Sequence, residues 1–142
     1  PLLLDRQVCF PLYAASNLLT RLYRPVLEPL GLTYPQYLVM LVLWERSPAS
    51  VGDLGERLHL DSGTLTPLLK RMEQAGFISR RRDPEDERRV LVTLTAHGCN
   101  LRTAALAVPE MLSLRLGLEP TAVDELRDSV KALVQILGSD AK

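Results

Sequence analysis

The sequence predicts a mostly α fold with a small β wing. A winged helix-turn-helix head, residues 49–95, sits with a helical region built from both ends of the chain, 1–32 and 96–142. Three observations predict it. Leu65, Leu68, Leu69 and Met72 recur at i, i+3, i+4 and i+7, the spacing of one apolar helix face. Directly behind them, Phe77–Arg82 and Arg88–Leu94 read as two strands, with Val90, Val92 and Leu94 alternating onto one side. Near the far end, Val123, Leu126, Val130, Leu133 and Leu137 line one helix face, and Val134 and Ile136 widen it.

The chain has 142 residues, 46% of them hydrophobic, enough for one domain with a real core. Lys plus Arg equals Asp plus Glu, so the net charge is zero. Any affinity for a polyanion must then come from local asymmetry of charge. No apolar run approaches the roughly 20 residues a membrane span needs, and the leading Pro1-Leu2-Leu3-Leu4 is too short for the apolar region of a signal peptide. Two cysteines far apart are no disulfide framework. A reducing cytoplasm is expected, where any disulfide is transient and regulatory.

Residues 6–28 read as the first helix. Pro11 removes a backbone donor and crowds the carbonyl four residues back. Either the helix kinks there or it begins near Cys9 or Phe10. Both options leave Cys9 close to free amide groups at a helix start, a setting that lowers a thiol pKa. The plainer alternative is a small buried cysteine. Pro25 and Pro29-Leu30-Gly31 end this helix. Thr33 with Gln36 three residues on is a capping box for the second. Tyr34, Tyr37, Leu38, Met40, Leu41, Val42 and Trp44 make that helix apolar almost all round, hence buried.

Ser47-Pro48 ends it, and Ala49-Ser50 can add a short third strand to the wing. Ser50 caps a helix from Val51 to Leu58 whose Leu54 and Leu58 face the core. His59 falls at the turn, where a lone histidine is a polar turn residue rather than a metal ligand, and His97 is too isolated to complete a zinc site. Asp61 or Ser62 caps the next helix and Gly76 ends it. Its exposed side carries Gly63, Pro67, Lys70, Arg71 and Gln74, with Thr64 and Thr66 on the flanks. Short hydroxyls and long cations suit base edges and phosphates. Ser62, Thr64, Thr66, Pro67, Lys70 and Arg71 are therefore candidates for a DNA groove. Asp83-Pro84-Glu85-Asp86-Glu87 is the turn of the ribbon. Lys70, Arg71, Arg80, Arg81, Arg82, Arg88 and Arg89 form a local basic footprint for a phosphate backbone. At the wing, Arg88 is the candidate to enter a narrow minor groove, with Asp86 orienting it. After the wing, Thr95 caps a helix from Ala96 to about Met111, interrupted at Pro109, with Cys99 in its first turn. Pro120 starts the last helix, which ends at Gly138. Its wide stripe suggests a second copy of the chain as partner.

Ser62 to Glu73, SGTLTPLLKRME, followed by Asp86-Glu87-Arg88 and then VLVTLT, resembles the MarR family of winged-helix regulators. The front of the chain narrows this. Cys9, Tyr13, Tyr23-Arg24-Pro25, Leu32-Thr33-Tyr34-Pro35-Gln36-Tyr37 and Leu41 to Glu45 resemble the organic-hydroperoxide-sensing repressors within that family. The resemblance implies a homodimer built from the terminal helices. It implies a redox-sensing Cys9 whose thiolate accepts hydrogen bonds from Tyr23 and Tyr34 of the opposite subunit. An apolar pocket around Phe10, Tyr13 and Tyr34 would receive the tail of an organic hydroperoxide. Oxidation to a sulfenic acid would release a pseudo-palindromic operator and derepress a peroxide-resistance gene. Some members close a disulfide with a second cysteine near the segment Leu112 to Gly117, and this chain has none there. Oxidised Cys9 would then pair with a low-molecular-weight thiol, or Cys99 would serve.

No cofactor or metal is implied, and no enzyme activity. The main rival is a repressor of the same family released by a small aromatic ligand without cysteine chemistry. A one-cysteine peroxidase lacks a resolving cysteine and a catalytic arginine beside Cys9. A winged-helix module that binds only protein would show no DNA affinity at low salt.

Overall fold

The computed structural model of the chain describes residues 1–140. It is mostly helical with one small antiparallel sheet: α1 (Cys9–Leu27), α2 (Tyr34–Glu45), β1 (Ala49–Ser50), α3 (Val51–Leu58), α4 (Ser62–Gln74), β2 (Ile78–Asp83), β3 (Asp86–Leu94), α5 (Ala96–Ala105), α6 (Val108–Leu116) and α7 (Pro120–Asp140). The chain divides into two compact units at Val108–Pro109. The first holds the helix-turn-helix, the wing and the helices that back them. The second holds most of α6 and all of α7.

Local chemistry explains each start. α1 begins at Cys9 behind a single 3₁₀ turn, Leu4–Arg6. The expected helix over 6–28 is therefore too long, and Pro11 is no kink. It stands in the first turn, where a missing N–H costs nothing because that donor has no helical partner. Pro25 does not end α1 either; the helix runs two residues further and tightens into a 3₁₀ turn, Glu28–Leu30, closed by Gly31 at φ 74°. The capping box of α2 forms in full. The Thr33 hydroxyl accepts the Gln36 N–H at 3.4 Å, and the Gln36 side chain accepts the Thr33 N–H at 3.1 Å. Asp61, not Ser62, caps α4, its carboxylate accepting the Thr64 N–H at 2.7 Å.

The sheet order is β1-β3-β2, with Ser50 opposite Leu91 and Arg80 opposite Val92. Both long strands run closer to the tip than the sequence suggests. Asp83 pairs with Asp86, which leaves Pro84-Glu85 as the whole turn, and a bulge sits at Arg82/Asp83. Past the wing, the expected helix from Ala96 to Met111 is two helices. α5 stops at Ala105, and Pro109 lies in the first turn of α6 rather than interrupting one rod. α7 continues through Gly138 to Asp140 instead of ending there. Residues 141–142, assigned to the terminal helical region from sequence, lie outside the described residues.

The core of the first unit joins Leu27 and Val26 of α1, Val39, Met40 and Leu43 of α2, Leu54, the α4 face Leu65, Leu68, Leu69 and Met72, and Ile78 and Val92 of the ribbon. Each fully buried aliphatic side chain contributes roughly 1.5–3 kcal/mol. This packing fixes α4 and the wing as one body.

Candidate nucleic-acid interface and thiol site

The supporting helix and the recognition helix meet at a tight turn. His59 closes α3 in the left-handed region at φ 56°, and the Leu60 N–H bonds the Gly55 carbonyl at 3.0 Å. A Cβ on Gly55 would come within 2.8 Å of the Leu60 carbonyl oxygen, so the closeness of this turn requires glycine. With α4 seated by its four buried residues, Ser62, Thr64, Thr66, Pro67, Lys70 and Arg71 all stand exposed on its outer side. Pro67 lies inside α4, yet the helix runs on to Gln74. Between α3, α4 and the wing lies an open cleft of about 940 Å³, whose lining includes Asp53, Ser62, Thr66, Arg80, Arg88 and Arg89.

The seven basic residues do not act alike. Arg80 and Arg82 lie on the Val90/Val92 side of the ribbon, and Arg81 lies on the other, opposite Leu91. Arg80 reaches Glu73 at 3.1 Å, and its backbone N–H also donates to Glu73 at 3.0 Å. These bonds hold the Glu73 carboxyl below its ordinary range and lock β2 to the end of α4. Arg89 lies 3.6 Å from Asp83 and 3.8 Å from Asp53, linking wing to α3. Arg82 donates to the Glu87 carbonyl at 2.8 Å. Arg88 is 91% exposed at the ribbon's end, its Nε donating to Asp86 at 3.2 Å. The Arg88 side chain, then its backbone N–H, hold the Asp86 carboxyl low. Asp86 thus stays ionised and orients the guanidinium outward. Among the described residues, Lys70, Arg71, Arg81 and Arg82 have no carboxylate partner.

At the other end of this unit, Cys9 is the first residue of α1 and is exposed. Phe10 and Tyr13 are exposed beside it, at 39% and 67%. The structure does not bring them to Tyr34 within one chain. Tyr23 and Tyr34 do meet, with ring centroids 4.6 Å apart. A third phenol, Tyr37, completes the group at 5.9 Å from Tyr23 and 6.5 Å from Tyr34. Burial raises the pKa of all three, and it carries Tyr23 to about 12, with Tyr34 and Tyr37 adding to the shift. Protonated phenols are hydrogen-bond donors. The sequence assigns Tyr37 to the buried face of α2 and to the resembling motif but gives it no part in bonding the thiolate; its i+3 spacing from Tyr34 is the signal that places it in the cluster. Beside Tyr34 a cavity of about 310 Å³ is lined by Thr20, Arg24, Glu28, Thr33 and Pro35 among others. Cys99 is exposed on α5. Among the described residues no group of three or more His, Cys, Asp or Glu side chains is placed to hold a metal, and no single helix is long and apolar enough to cross a membrane.

A helix-turn-helix backed by a charged two-stranded ribbon defines a winged-helix DNA-binding protein. The MarR family pattern matches residues 32–90. The chain is 48% identical, over 94% of its length and 89% of the relative's, to the organic hydroperoxide resistance transcriptional regulator of Bacillus subtilis strain 168. The chain belongs to the MarR family. Among solved structures it is similar to reduced AbfR bound to DNA, at 40% identity and TM-score 0.83, covering 98% of this chain and 95% of that one. It is also similar to disulfide-formed AbfR, at the same 40% identity but TM-score 0.65, covering 92% of each chain.

Proposed function

We propose that the chain is a cytoplasmic, homodimeric repressor that binds a pseudo-palindromic operator in double-stranded DNA and is released when an organic hydroperoxide oxidises Cys9. The observation that carries the reading is the separation of the thiol from its donors. α1 is one continuous helix, so Cys9 and Tyr23 stand about 21 Å apart along it. The phenols that would serve Cys9 therefore belong to a second copy of the chain. Tyr23 and Tyr34, kept protonated by burial, would donate to the Cys9 thiolate across the dimer, which favours the ionised sulfur. Phe10 and Tyr13, exposed in one chain, are then free to line the peroxide pocket against the partner's Tyr34.

The chemistry balances simply. The thiolate attacks one peroxide oxygen; an S–O bond forms and the O–O bond breaks. Sulfur is oxidised by two electrons, and the leaving alkoxide takes a proton and departs as an alcohol. A low-molecular-weight thiol can then condense with the sulfenic acid, forming a disulfide and water. The event is stoichiometric, a switch rather than an enzyme's turnover. Support comes from AbfR, which exists reduced on DNA and as a disulfide form, and whose two states superpose on this chain to different degrees. On DNA, Ser62, Thr64, Thr66, Pro67, Lys70 and Arg71 enter the major groove, and Arg88, oriented by Asp86, enters the minor groove.

A second reading rests on the cavity beside Tyr34, which has room for a small aromatic molecule and carries Arg24 for an anionic group. In that reading a ligand releases the operator without cysteine chemistry. One experiment separates the two. Fluorescence anisotropy on a duplex from the chain's own promoter compares wild type and Cys9→Ser, with and without cumene hydroperoxide, at fixed salt. Release of wild type alone is the expected result. If both proteins stay bound or both leave, Cys9 is not the sensor and the small-ligand reading takes its place.

A further inference from the structure

We infer that Trp44 is a positioning residue that ties the tyrosine cluster to the reading head, its indole N–H being the group that joins the two. The inference rests on the redox reading above for its input signal. α2 is about 18 Å long. Tyr34, Tyr37, Leu41 and Trp44 follow one another at i, i+3, i+7 and i+10, one stripe along it. The Tyr37 ring meets Trp44 edge-on, with centroids 6.5 Å apart and planes at 68°. At the far end of the helix, Trp44 Nε1 donates to the Gly98 carbonyl at 3.0 Å, a contact to α5 across 54 residues of sequence.

Gly98 is held just as firmly on its other side. Its N–H donates to the Thr95 hydroxyl oxygen at 3.1 Å, and that hydroxyl donates to the Gly76 carbonyl at 2.5 Å. The Thr95 N–H donates to the Phe77 carbonyl at 3.1 Å. Gly76 and Phe77 lie, with Ala75, between α4 and β2. A Cβ at Gly98 would collide with the Phe77 carbonyl oxygen. The two backbones therefore touch with no space to absorb a displacement. An unbroken series of direct contacts thus runs from Tyr34 to the junction of recognition helix and wing, all within the first unit. Packed bodies with no slack move together, and a small shift at one end is passed on rather than dissipated. Among the described residues, Trp44 is the link in the series that joins α2 to α5 through a directed hydrogen bond.

Trp44 is also the chain's single tryptophan, so its emission reports on this one site. The experiment compares wild type, Trp44→Phe and Cys9→Ser on the promoter duplex, reduced and after cumene hydroperoxide, at fixed salt. Phenylalanine keeps an aromatic ring and removes the N–H. The expected result is that reduced Trp44→Phe binds DNA within about threefold of wild type, while the factor by which peroxide weakens its binding shrinks by about tenfold, within the usual range of coupling between sites. A variant released by the same factor as wild type overturns the inference. So does a variant that loses its affinity already when reduced, since Trp44 would then be a packing residue. If wild type itself is not released, the redox reading fails, and the emission decides the inference separately. Coupling is reciprocal, so adding duplex to reduced wild type must change the Trp44 emission. Unchanged emission overturns the inference whatever the fate of the redox reading.

Discussion

Burial sets the chemistry of the three clustered tyrosines. The Tyr23 phenol is pushed up to about 12, and Tyr34 and Tyr37 move the same way. Their folded pKa values lie above those of the unfolded chain, which stay near about 10. Below about pH 10 both states hold the protons, and the stabilisation from the protonated cluster is complete. As the pH rises toward 12, the value Tyr23 reaches, the unfolded chain ionises first and that stability is lost. Urea unfolding midpoints should fall across this window in wild type and fall less in Tyr23→Phe. Equal decline in the two proteins would place the loss elsewhere. The family resemblance singles out two members of this cluster, Tyr23 and Tyr34, as partners of a thiol rather than of each other. Tyr37 is not singled out, because on a helix apolar nearly all round it looks like one more core residue. Its place in the cluster also depends on the Tyr23 ring, 5.9 Å away, which arrives from a different helix.

Among the elements, the junction of α4, β2 and α5 tolerates the least change. Gly98→Ala would force the new methyl into the Phe77 carbonyl oxygen. The obstacle is backbone, so no rotamer relieves it. A loss of about 3 kcal/mol is expected, at the upper end for overpacking, read as a lowered thermal midpoint. A midpoint unchanged from wild type would mean α5 can slide. The α2 cap and the α4 face were plain from sequence, because Thr33/Gln36 and the Leu65–Met72 spacing are local signals, while the structure chooses Asp61 over Ser62 as the α4 cap. Helix ends at proline were misread at Pro25 and Pro109, which are accommodated in last or first turns, whereas at Pro11 the helix takes the second of the two options left open and starts at Cys9. Nothing local marks Gly98, since the close approach is made by residues far away in the chain.

At the scale of the whole molecule, α7 sets the question of assembly. Among the described residues none of its side chains is buried within the chain, and Leu126 and Leu137 are 57% and 59% exposed. An apolar stripe of that width on one helix suits a partner helix better than water. Sedimentation should return twice the 15.8 kDa chain mass. The double variant Leu126→Glu/Leu137→Glu should return one chain mass and lose operator binding. A double variant that remains dimeric would move the interface elsewhere.

The carboxylates that partner the wing arginines have a consequence for how binding responds to ionic strength. Of the seven basic residues from Lys70 to Arg89, three already face Glu73, Asp86, Asp53 or Asp83. Those three bring little displacement of counterions when they reach the duplex, because a phosphate there only replaces an internal anion. Each uncompensated cation that meets a phosphate adds about 0.9 to the steepness with which affinity falls as salt rises. Four cations per head rather than seven make a shallower dependence. Such a protein would keep its grip on DNA as ionic strength rises, which on the proposed reading leaves release to chemistry at the thiol.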